Sequence, residues 1–161
     1  MDMWDATDVR ARLGARALVL APPLPEAEIR AFEGAHGIRL PAAYRAFVAA
    51  VGDGPAGPHH GLLPLTAPRP EADGEWAVDD EWEQDRLPGR LAAPFEPAGR
   101  GGQGTLTLAE VGCGAFSRLV LTGPRAGEVW CFDPDWHGFT PESPDFRTWY
   151  AAWLEKDGST A

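Results

Sequence analysis

Cysteine is scarce: Cys113 and Cys131 are the only two in 161 residues, too few for the disulfide framework of a small secreted domain. Asparagine is absent, and lysine occurs once against 13 arginines and 24 acidic residues. The net charge of −10 repels phosphate backbones, and no local basic cluster offsets it. Nucleic acid is therefore an unsuitable partner, and a basic protein a suitable one. No apolar stretch approaches the ~18 residues needed to cross a bilayer. The longest run near the start, Ala17 to Pro25, follows Asp2, Asp5 and Asp8, the wrong sign for a signal or transit peptide, so the expected compartment is the cytoplasm. The Ala, Gly, Pro and Arg bias fits a GC-rich bacterial genome. Core material is plentiful: 44% of residues are apolar, with seven Trp and seven Phe. A chain of this length fits one domain, residues 1–161, burying roughly 68–70% of its extended surface.

Four segments carry helical period. Val9, Leu13 and Ala17 recur within Asp8–Leu20, although Gly14 weakens that pattern. A second helix opens near Pro25, buries Ile29 and Phe32 on one face with His36, and ends at Gly37. Pro41 restarts the chain into a third, with Tyr44, Phe47, Val48 and Val51 on one stripe. The last helix has Ser143 as its expected N-cap and Pro144 in its first turn. Phe146, Trp149, Tyr150, Trp153 and Leu154 form its apolar face, and Lys156 and Gly158 its stop. Strand patterns cover Thr105–Val111, Phe116–Thr122 and Glu128–Asp133, the last two flanking a Gly123–Gly127 hairpin loop. Leu62–Leu65 suits a short edge strand. The fold class expected is α+β: N-terminal helices packed on a mostly antiparallel meander and closed by a C-terminal amphipathic helix. Residues 66–104, acidic and rich in Pro and Gly, read as a surface excursion of this domain.

Signals for catalysis are weak. Gly99-Arg100-Gly101-Gly102-Gln103-Gly104 matches G-x-G-x-x-G, but it follows prolines and precedes a strand, the reverse of a dinucleotide site. Cys113 and Cys131 with His59, His60 or His137 lack metal-ligand spacing. Ser117 or Cys113 could join a His and an Asp in a triad, yet the surrounding GCGAFSRLV has no nucleophile-elbow context. The expectation is a protein without metal, cofactor or catalytic residues. Between Glu71 and Asp85 lie eight of the 24 acidic residues and no basic one, interleaved with Trp76 and Trp82. Such a stretch is either a solvated face or a charged surface with aromatic anchors. The expected partner-binding residues are Glu75, Trp76, Asp79, Asp80, Glu81, Trp82, Glu83 and Asp85. The loop carrying Asp53, His59 and His60 is the second choice.

The segment EIRAFEGAHGIRLPAAYRAFVAAVGDGPAG holds Gly37, Ile38, Leu40, Pro41, Tyr44, Phe47 and a Gly-rich loop from Gly52 to Gly57. It resembles the opening of the SUKH superfamily, the cell-wall-assembly-regulator (Smi/Knr-type) domain. GCGAFSRLVLTGPRAGEVW is similar to the family's Gly-rich strand entry and hairpin, and PDFRTWYAAWL to its closing Phe-x-x-Trp helix. The likeness is strongest over residues 26–154; Asp53 stands where the family often has Asn, and no family pattern maps onto 66–104. It implies helices on a mostly antiparallel sheet and a non-enzymatic binding function. By this likeness the chain is an immunity protein that neutralises a cognate basic toxin, possibly a nuclease, or alternatively a regulatory scaffold that recruits a housekeeping protein. Oligomeric state is left open.

Overall fold

A computed structural model describes residues 4–66, 80–99, 101–112, 114–133 and 138–159. Helix α1 (Ala6–Ala15) is capped by the Asp5 carboxylate, which accepts from the Asp8 backbone N–H at 3.0 Å. It stops short of the expected Leu20, because Ala17 takes a left-handed φ of 56° and breaks the helical run. Helix α2 (Glu26–His36) ends at Gly37 in the left-handed region, and α3 (Ala42–Ala50) follows Pro41. In both cases the proline sits at the N-cap. Helix α4 (Asp80–Asp85) is one short helix inside the acidic stretch.

Strands β1 (Thr105–Gly112), β2 (Ala115–Val120), β3 (Val129–Asp133) and β4 (Gly138–Ser143) form an antiparallel sheet in the order 1-2-3-4. The expected three-stranded meander thus gains a fourth member, whose Pro141 is tolerated because β4 is an edge. Leu62–Leu65 forms no assigned strand but runs beside β1: the Leu63 N–H reaches the Leu108 carbonyl at 2.9 Å. Helix α5 (Phe146–Ser159) closes the fold. Its cap is Asp145 rather than the expected Ser143, since the Asp145 carboxylate accepts from the Thr148 N–H at 2.6 Å while Ser143 ends β4. It also runs past Gly158.

Both faces of the sheet are covered. On one, Leu106, Leu108, Leu119 and Val129 meet the stripes of α1, α2, α3 and α5 in a continuous core. Trp4 completes it, its ring edge-on to Phe47, Phe146 and Tyr150 and its indole N–H on the Ala43 carbonyl at 2.8 Å. On the other face, Val120, Trp130, Phe132 and Phe139 form a second cluster with Phe95. The segment expected as a surface excursion therefore supplies Phe95 to one cluster and buried Leu91 to the other. Arg118 of β2 is fully buried on the same side and pairs with Asp85 of α4 at 3.2 Å. Gly104 belongs to this closure: its φ is 74°, and a Cβ there would come within 2.5 Å of the Ala93 carbonyl oxygen. The G-x-G-x-x-G stretch thus ends in a close backbone crossing.

Candidate functional site

The loop from Gly52 to Gly61 is held from three sides. The Ala21 N–H donates to the Gly54 carbonyl at 2.6 Å, the Leu62 N–H to the Pro55 carbonyl at 2.8 Å, and the buried Tyr150 hydroxyl to the Ala56 carbonyl at 2.8 Å. Burial raises the Tyr150 pKa, so the hydroxyl stays protonated and keeps donating. Gly54 has a φ of 68°, and a Cβ there would sit 2.6 Å from the Leu62 carbonyl oxygen, so no larger residue fits. The fixed loop brings His59 against β4 and α5.

There Pro58, His59, Glu142, Pro144, Trp149 and Trp153 line a groove of about 530 Å³, with Lys156 also among its lining residues. Glu142 is its chemical centre. One carboxylate oxygen accepts from the Ser117 hydroxyl at 2.7 Å; the other meets the Trp149 indole N–H at 2.9 Å and His59 Nε2 at 3.3 Å. Burial pushes the Glu142 pKa up, but the hydrogen bonds from His59, Ser117 and Trp149 outweigh it and hold the carboxyl below its ordinary range. The group is therefore an anion at neutral pH. Cys131, opposite Ser117 in the β2–β3 register, is half-buried; burial and the nearby Glu142 and Asp133 carboxylates raise its pKa, which disfavours the thiolate.

This geometry suits binding better than acyl transfer. A serine nucleophile needs an imidazole between itself and the carboxylate. Here the carboxylate lies in the middle, with Ser117 on one oxygen and His59 on the other. Ser117 is also fully buried. No group of three or more His, Cys, Asp or Glu among the described residues could hold a metal ion.

A shallower hollow of about 250 Å³ adjoins the groove and shares His59 and Trp153 with it. Leu18, Val19, Pro55 and His60 line it, and Val19 is 71% exposed. Arg16 stacks over the Trp153 ring at 4.5 Å.

The expected binding residues are scattered. Glu75, Trp76 and Asp79 lie outside the described residues, as do Cys113 and His137. Asp80 and Glu81 open α4. Glu83 is exposed, whereas Trp82 is half-buried: its indole N–H donates to the Pro64 carbonyl at 2.7 Å and Arg86 stacks over its ring at 3.7 Å. Asp85 points inward and is fully buried, accepting from the Thr107 N–H at 2.7 Å and pairing with Arg118. Asp53 is likewise buried and accepts from the Leu65 N–H at 2.9 Å. Both carboxylates are turned into the protein. His59 is in the groove, and His60 is exposed beside it. Glu142 carried no sequence signal, because it sits on a strand interrupted by Pro141. Trp149 and Trp153 carried one, but helical spacing marked them as core without showing that the core's edge opens as a groove.

A family model described as SMI1 / KNR4 family (SUKH-1) matches residues 23–152. No curated protein and no solved structure gives a significant match.

Proposed function

Because the chain belongs to the SMI1 / KNR4 (SUKH-1) family, whose members include immunity proteins that bind protein toxins, we propose that it captures and neutralises a cognate basic toxin. The observation that carries this reading is the groove: a rigid loop, two tryptophans and a charged carboxylate shape a recognition surface in which serine and histidine are committed to the carboxylate rather than to each other. The net charge of −10 attracts a basic partner over distance and disfavours nucleic acid. The acidic residues from Glu71 to Glu83, with Trp76 and Trp82 among them, form a second contact region in this reading and steer the encounter. The protein works as one domain in the cytoplasm, without cofactor, by covering the toxin's active site.

The test is co-expression with the product of the adjacent gene. Rescue of growth together with a stoichiometric complex is the expected result. A chain that suppresses no toxicity and instead recovers several unrelated housekeeping proteins would sink this reading in favour of a regulatory scaffold.

A further inference from the structure

We propose that the Glu142 groove receives one arginine side chain of the protein partner. The proposal rests on the reading above that the partner is basic, and adds the side chain that is recognised. The floor of the groove is an ionised carboxylate whose side chain remains 24% exposed, so a guest can reach it. Trp149 and His59 fill both lone-pair directions of one oxygen and Ser117 fills one of the roughly two on the other, leaving one on that second oxygen for an incoming donor.

The walls select the kind of donor. Half-buried Trp153 offers indole surface, Trp149 adds the small part of its ring left 6% exposed, and Pro58 and Pro144 flank them. A guanidinium is planar and weakly hydrated, so it can lie on an indole while its edge donates to the carboxylate; a strongly hydrated ammonium gives up more on entering. The chain makes such stacks itself, with Arg16 on Trp153 at 4.5 Å and Arg86 on Trp82 at 3.7 Å. An acidic guest would instead meet the Glu142 charge on a partly desolvated floor. Three groups oppose the cation: His59 holds the neighbouring carboxylate oxygen, Lys156 stands among the lining residues, and Arg16 already stacks on the Trp153 ring. The lysine should weaken the site without defining it.

The experiment uses the full chain labelled with ¹⁵N, following the Trp149 and Trp153 indole N–H resonances. The probes are N-acetyl-arginine amide and its neutral isostere N-acetyl-citrulline amide. Saturable shifts with the arginine probe are expected, with the citrulline probe at least about fivefold weaker, as loss of the cation–π and charge contacts requires. Glu142→Gln should erase that preference, and Lys156→Gln should tighten the arginine probe about twofold by removing a like charge. Equal response to both probes, or an arginine preference that survives Glu142→Gln, overturns the proposal. If Glu142→Gln loses its dispersed spectrum, Lys156→Gln decides alone, and unchanged or weaker arginine affinity overturns it. The two readings fail separately. A toxin bound equally by the wild type and Glu142→Gln removes the arginine site and leaves immunity standing. An arginine-selective groove in a chain that protects against no co-encoded toxin does the reverse.

Discussion

Glu142 and Asp85 show how far a carboxylate's surroundings decide its role. Glu142 gathers donors from β2, the Gly52–Gly61 loop and α5, and these hold its pKa down against burial. A carboxyl with a lowered folded-state pKa stabilises the fold above its unfolded value, near 4.5, and that contribution disappears as pH falls through the folded value. Urea melts from pH 7 down to pH 3 should therefore show the wild type losing its advantage over Glu142→Gln only below about pH 4.5. A constant gap across that range would disprove the assignment. Asp85 is different: with Arg118 it forms an ion pair shut off from solvent on both sides. Arg118→Met leaves the buried carboxylate with only the Thr107 N–H and the more distant Arg86 guanidinium at 3.9 Å, and should cost about 3–5 kcal/mol in chemical denaturation. A loss below about 1 kcal/mol would mean that Asp85 finds other support.

At the scale of elements, α5 links stability and site. Phe146, Tyr150 and Leu154 face the core, while Trp149 lies between the core and the groove, with Trp153 beside it. Trp149→Ala should cost roughly 3–5 kcal/mol and also release one donor from Glu142. An unchanged denaturation midpoint would remove α5 from the core. The stripe was legible because helical period alone puts these five residues on one face. The segment from Asp80 to Gly104 was not legible, because its composition is that of a loop and its closure depends on contacts across the chain. Its half-buried Arg86 shows this. Burial pushes the Arg86 pKa down to about 10, yet the guanidinium donates to the Pro64 and Leu65 carbonyls and stacks on Trp82. Trp82→Ala should therefore lower the melting temperature as well as affect binding. An unchanged melting temperature would show that the Trp82 anchor carries no stability.

At the scale of the whole molecule, the net charge of −10 is what would govern the approach of the proposed basic toxin. Screening over ~8–10 Å acts mainly before contact, so rising salt should slow association more than it speeds dissociation. Replacing Asp79, Asp80 and Glu81 with Ser should lower the on-rate with little change in the off-rate, measured against the captured toxin. An on-rate indifferent to salt and to the triple substitution would exclude the acidic segment from steering. The sequence by itself determined the α+β class, the three strands of the meander, the closing helix and the family, because hydrophobic period, glycine and proline act locally along the chain. Only the tertiary structure decided that Asp53 and Asp85 turn inward, that the segment from Asp80 to Gly104 seals the second face, and that His59, Ser117, Trp149 and Glu142 meet. A carboxylate looks the same in sequence whether it faces water or a buried arginine. Which it faces is set by residues tens of positions away, such as Arg118 for Asp85 and His59 for Glu142.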